Sequence, residues 1–129
     1  MNKKILFLLI ILIIVSFGCT EVVTSQETTQ FENVKLVVSN GDEILFSKNG
    51  DMRNGLNDFD AVDILLDGNL DYDEYDFGFF ITSIVGVTPG PNQFWSLYID
   101  GEKASQGILS YTISKDILIE FKLEELQTF

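Results

Sequence analysis

Hydrophobic and polar positions change rhythm several times along this chain. Ile5 to Val15 is an unbroken apolar run. From Asn33 onward, Val34, Leu36 and Val38 alternate with Lys35, Val37 and Ser39, the period of a half-buried strand. Asn40-Gly41 follows, then the β-rich run Asp42 to Ser47. Asn-Gly between two such runs predicts a tight hairpin turn with both central residues at positive φ. Lys48 to Gly55, with two Asn/Gly pairs, reads as a loop. Leu56, Phe59, Val62 and Leu66 then recur at helical spacing, and Ile64 and Leu65 widen the stripe. Asn57 or Asp58 caps its start, and Asp58 and Asp60 suit the positive end of the helix dipole. Gly68 stops it, because glycine takes the left-handed conformation at little cost.

An acidic stretch comes next: Asp67, Asp71, Asp73, Glu74 and Asp76, interleaved with Tyr72 and Tyr75. A calcium loop of the EF-hand kind needs Gly at its sixth position and Glu at its twelfth. Counted from Asp67 these are Tyr72 and Gly78, and from Asp71 they are Asp76 and Thr82. Neither fits, so a solvated acidic loop is the plain reading and an irregular, weak ion site the alternative. Phe77 to Val87 (FGFFITSIVGV) is aromatic and β-branched and reads as a central strand. Thr88-Pro89-Gly90-Pro91-Asn92 breaks it. Phe94 to Ile99 is a further strand, Asp100-Gly101 a tight turn, Gly107 to Ser114 an extended segment, and Ile117 to Leu123 a last alternating strand. A hairpin, one helix and further strands in that order predict an α+β, β-grasp-like domain. Its one helix would pack on a mostly antiparallel sheet.

The apolar run near the start has a different meaning. Eleven helical residues, at about 1.5 Å each, fall well short of a ~30 Å hydrocarbon core. With Asn2-Lys3-Lys4 before it, the run has the form of a signal peptide. Ser16-Phe17-Gly18-Cys19 resembles the lipobox of prokaryotic lipoproteins, although Phe17 is larger than the residue usual there. A plain signal peptide cut near Gly18 is the alternative. Cys19 is the only cysteine, so no internal disulfide can form, and lipidation accounts for an exported lone thiol. The expected organisation is a signal peptide over 1–18, a tether rich in Thr, Gln and Glu over 19–32, and a domain over 33–129. The mature protein would sit on the cell membrane, anchored through Cys19 and facing outside the cytoplasm.

Charge narrows the partners. Lys3 and Lys4 leave with the leader, so six Lys and Arg face 20 Asp and Glu, a net of −14. Such a polyanion repels phosphate backbones, which argues against nucleic acid, and repels anionic lipid, so membrane contact falls to the anchor. The chain has no histidine, which removes a Ser-His-Asp triad, an imidazole base and a His metal site. With Cys19 as the anchor, no thiol nucleophile or zinc-thiolate site remains, and there is no phosphate-binding glycine loop. No catalytic residue, metal ligand or cofactor site is therefore expected, and the protein reads as a non-enzyme.

Three segments carry a resemblance. Phe79-Phe80-Ile81-Thr82-Ser83-Ile84-Val85-Gly86, then Phe94-Trp95-Ser96-Leu97-Tyr98-Ile99-Asp100-Gly101-Glu102, then Ser105-Gln106-Gly107-Ile108-Leu109-Ser110-Tyr111 resemble the transcobalamin-like C-terminal domain family. The likeness covers roughly 33–124, and Lys115-Asp116 stands where the family has Gly-Asp before its last strand. The resemblance implies a β-grasp-type fold and a candidate ligand-binding face. In the cobalamin carriers of animals this domain closes over one face of the ligand, opposite a helical barrel that this chain lacks. The family's ligand-facing positions map onto Phe80 and onto Ala104, Ser105 and Gln106, with Trp95 as a neighbouring candidate. Core packing is the plainer account of Phe80 and Trp95, since large aromatics in strands are mostly buried. Two functions stay open. One is a lipid-anchored domain that captures a small soluble ligand such as a cobamide. The other is a structural or interaction module that pairs with an envelope protein through an open sheet edge.

Overall fold

The computed structural model describes Gly18 and residues 25–127. The signal peptide expected over 1–18, Gly18 apart, and the lipidation site expected at Cys19 lie outside the described residues. Among the described residues, no helix is long and apolar enough to cross a membrane.

The alternation around Val34 does form a strand. β1 (Phe31–Ser39) buries Val34, Leu36 and Val38 fully and leaves Lys35 exposed; it begins ahead of the expected domain start at Asn33. β2 (Ile44–Arg53) pairs with it antiparallel, from Phe31↔Arg53 to Val38↔Phe46. Two expectations are corrected here. The turn runs from Asn40 to Glu43, and only Gly41 takes a positive φ, 99°. The Asn40 side-chain oxygen accepts the Glu43 N–H at 3.3 Å, a local bond that gives Asn an alternative to the tight turn. The loop expected over Lys48 to Gly55 is strand as far as Arg53. It gave no alternating signal because β2 lies at the sheet edge and buries only Met52.

α1 (Asp58–Leu66) starts where the sequence placed it. The Asn57 side chain accepts the Phe59 N–H at 2.9 Å, satisfying one free donor of the first turn. Asp67 and Gly68 both take positive φ and end the helix. Phe59, Ala61, Val62, Leu65 and Leu66 are buried, whereas Ile64, expected in the stripe, is 56% exposed.

The acidic segment is not a loop. β3 (Leu70–Tyr75) and β4 (Gly78–Ile84) form an antiparallel two-stranded sheet of their own. The expected central strand over Phe77 to Val87 is therefore corrected: β4 is half of a separate hairpin. It ends at Ile84 because Val85 and Gly86 both turn to positive φ, and Ile84 and Val87 exchange backbone hydrogen bonds across them. Its continuous apolar run has another cause than a central place in a sheet. Phe79 meets the helix through Phe59, and Ile84 is fully buried.

β5 (Gln93–Ile99) and β6 (Glu102–Lys103) flank the Asp100-Gly101 turn, where both residues have positive φ as such a turn requires. The segment Gly107 to Ser114, expected to be extended, instead holds a short 3-10 turn at Ile108–Ser110, then a single bridge from Thr112 to Asn57. β7 (Ile117–Glu125) ends the fold.

The main sheet runs β2-β1-β7-β5-β6. Its pairings are antiparallel except at the middle, where β1 and β7 lie parallel from Val34↔Ile117 to Ser39↔Lys122. First and last strands side by side, with one helix on one face, make the α+β, β-grasp-like arrangement. The core lies between α1 and that face: Val34, Leu36, Val38, Ile119 and Phe121 from the sheet, Phe59, Val62, Leu65 and Leu66 from the helix.

Candidate functional site

The hairpin β3–β4 and the main sheet leave a cleft of about 490 Å³ between them. Phe79, Phe80, Ile81 and Thr82 of β4 form one wall. Trp95 and Leu97 of β5 and Phe121 of β7 line it from the sheet, on the face that also receives the helix. Thr88, Pro89 and Gly90, with Gln93, close one end, and Gly107 and Ile108 line it further round. Gln93 holds the turn: its Oε1 accepts the Gly90 N–H at 3.0 Å, and its own N–H donates to the Gly90 carbonyl at 3.0 Å. A side chain at residue 90 would crowd that Oε1, so a glycine there lets the wall close on itself.

Aromatic packing sets the hairpin against the helix. Phe59 meets Tyr72 edge-on with centroids 4.9 Å apart, and meets Phe79 at 4.7 Å. Tyr72 and Phe79 are themselves 4.7 Å apart. This cluster holds β4 at its distance from the sheet. Phe80 is 61% exposed, and Trp95 is partly buried with its indole N–H enclosed and without an acceptor among the described residues.

The other positions singled out from the sequence separate. Ala104 and Ser105 line a second depression of about 460 Å³, together with Asp100, Glu102, Tyr111 and Lys115. Gln106 is exposed and lines neither hollow. So Phe80 and Trp95 share one cleft, Ala104 and Ser105 share another, and Gln106 stands apart. Sequence reasoning missed Pro89 and Gly90, which it took for a chain break, Gln93, which it left unassigned between that break and the strand from Phe94, and Ile108, which it took for extended chain. The Pro-Gly dipeptide was the one visible signal of a formed wall.

Charge around the site is uneven. Asp58 is fully buried at the first turn of α1, and neither carboxylate oxygen has a hydrogen-bond partner among the described residues. Burial, and secondarily the negative charge of Asp100, push its pKa up to about 6. Asp100 is itself engaged: one oxygen accepts the Leu118 N–H at 3.0 Å and the other lies 3.3 Å from Lys115 Nζ. On the opposite face of the sheet, Tyr98 donates to Glu124, which raises the phenol's pKa and lowers the carboxyl's. Lys122 Nζ sits 4.2 Å from the centre of the Tyr98 ring. No group of three or more His, Cys, Asp or Glu that could hold a metal ion is found among the described residues.

Seventeen chains of solved structure match the fold. Haptocorrin in complex with Cbi aligns at a TM-score of 0.65 and 20% identity, over 85% of this chain and 29% of that one. A candidate metal-binding protein from Ruminococcus gnavus aligns at a TM-score of 0.61 and 17% identity, over 74% of this chain and 99% of that one. At these identities the likeness is one of fold. The chain spans under a third of haptocorrin and nearly all of the bacterial protein. No curated protein matches the sequence. The transcobalamin-like resemblance read from the sequence holds in the fold. The model of a domain of unknown function, DUF4430, matches residues 60–125, from the first turn of α1 to the end of β7, and the chain belongs to that family.

Proposed function

We propose that this is a non-catalytic binding domain, anchored by a lipid at Cys19 outside the cytoplasmic membrane, that captures a small soluble ligand in the cleft between β4 and β5. The observation that carries the reading is the cleft itself. It is about 490 Å³, within the range of small-molecule sites, and its walls are mostly apolar and aromatic with a few polar groups such as Thr82 and Gln93. A planar ligand of the cobamide class is larger than this volume and would place one edge or face in it, against Phe80 and Trp95. Haptocorrin, whose fold aligns here, was solved with Cbi. The bacterial relative, aligned over 99% of its chain, supports a version of this fold that stands without a helical barrel. Ala104 and Ser105 would then meet parts of the ligand that reach beyond the cleft.

Trp95 is the only tryptophan, so its fluorescence tests the proposal. Cobinamide and complete cobamides should quench it saturably, after correction against free tryptophan for absorbed light. Phe80→Ala should weaken the effect, while Gln106→Ala, off the cleft, should not. Absence of saturable quenching would leave the second reading, an envelope interaction module. The observation favouring that one is β2, which lies at the sheet edge with no strand on its outer side among the described residues.

A further inference from the structure

The tip of the β3–β4 hairpin lies outside both hollows and has an unusual surface. Tyr75 and Phe77 stack with their ring centres 5.2 Å apart and planes 2° from parallel. Both residues face water: Tyr75 is 49% exposed and Phe77 is 88% exposed. An aromatic pair held in order and turned to water is costly, since the same rings could bury apolar area elsewhere. Asp73, Glu74 and Asp76 neighbour the pair in sequence; all three are exposed, and none forms an ion pair among the described residues. The lysines that do pair, Lys103, Lys115 and Lys122, belong to the opposite part of the chain, beyond β5.

We infer that this hairpin tip is a docking surface for a lysine- or arginine-bearing segment of a partner protein. Charge complementarity selects the partner. Ring faces carry negative quadrupole potential, and flanking carboxylates add to it, so an aliphatic stem ending in a cation satisfies both features at once. Guanidinium groups stack on such rings and pair with carboxylates in the same contact. Shape selects a protein over a small cation: neither hollow includes Tyr75 or Phe77, whereas small ligands need a concave site. A second copy of this chain is disfavoured, because it would bring the same unpaired acids together. The surface is independent of the ligand cleft, so either can fail without the other.

The test uses a fluorescein-labelled arginine decapeptide titrated with the purified full chain, read by anisotropy. Tyr75→Ser/Phe77→Ser removes both rings without changing charge and should weaken binding about tenfold. Asp73→Asn/Asp76→Asn should weaken it to a similar degree. Asp42→Asn/Glu43→Gln removes the same charge at the β1–β2 turn and should leave binding within about twofold, which separates a local site from general attraction to an acidic protein. All positions are exposed, and circular dichroism is the check that each variant folds. Equal weakening by the control pair, no effect of removing the rings, or no binding by the parent chain would overturn the inference. So would sedimentation of the chain with phosphatidylcholine vesicles that is lost in Phe77→Ser once Cys19 is replaced by Ser, which would make the tip a membrane contact instead.

Discussion

Leu65 occupies the space that a side chain at Gly50 would need: its Cδ2 lies 2.8 Å from where a Cβ on residue 50 would sit, and Met52 Cε lies at 3.1 Å. The helix thus closes onto β2 across a position without a side chain. Gly50→Ala should destabilise the fold by about 1 kcal/mol, the overpacking strain exceeding the gain from a less flexible unfolded chain. Leu65→Ala should cost about 3 kcal/mol through the cavity it leaves. The double variant should cost less than the two together by ~1 kcal/mol, because the new methyl fills part of that cavity. Urea denaturation of the four proteins gives the cycle, and strict additivity would show that the contact is not felt.

Phe59 ties the helix to the β3–β4 hairpin, touching Tyr72 and Phe79, and is only 5% exposed within the core. Phe59→Ala should cost about 3–5 kcal/mol. The hairpin should loosen first, so amide exchange in β3 and β4 should rise more than in β1 and β7. A cost below ~1 kcal/mol would mean that the stripe does not bear on the sheet.

Asp58 should make stability depend on pH with a definite sign. Its carboxyl titrates at about 6 in the folded chain, against 3.8 as the ordinary value. Between these limits the folded state binds more protons than the unfolded state, so stability falls as pH rises from about 4 to about 6. The stabilisation is complete below 3.8 and lost above the folded value; it amounts to at most about 3 kcal/mol. Asp58→Asn stays neutral throughout. Relative to it, the parent chain should lose on the order of 2 kcal/mol between pH 4 and pH 7.5 in thermal or urea unfolding. Parallel pH profiles for the two would contradict the burial of an unpaired acid.

Cys19→Ser should shift the protein from the membrane fraction to the soluble fraction, since two acyl chains suffice for stable anchoring and none would remain. Full retention on the membrane would show that the apolar run Ile5 to Val15 stays attached and does the holding.

Local signals in the sequence were reliable where the physics is local. Asn57 caps the helix with its own side chain, Asp100-Gly101 turns the chain with two positive φ values, and Phe59, Val62 and Leu66 share a face at helical spacing. What went unread depends on partners distant in sequence. β3 reads as solvated loop because five of its six residues are exposed; its strand character comes from pairing with β4. β4 reads as a central strand because an apolar run does not say which neighbour buries it. The later half of β2 is polar, and its pairing with β1 supplies the order. The cleft was half legible. Phe80 and Trp95 do come together, but nothing in the residues told that Ala104 and Ser105 would turn to a different hollow.

Placing β1 beside β7, parallel, decides how the domain bears mechanical load. In a parallel pair the beginning of one strand and the end of the other lie at opposite ends. Tension applied at Phe31 and Glu125 would therefore slide the strands along each other and strain every rung from Val34↔Ile117 to Ser39↔Lys122 at once. Tension applied at Phe31 and Arg53 would instead open the β1–β2 ladder one rung at a time, because those residues face each other. In an optical trap, the domain should yield at a clearly higher force when pulled through Phe31 and Glu125 than through Phe31 and Arg53. A chain held at its amino-terminal side and pulled at the other end meets the stronger of these two geometries.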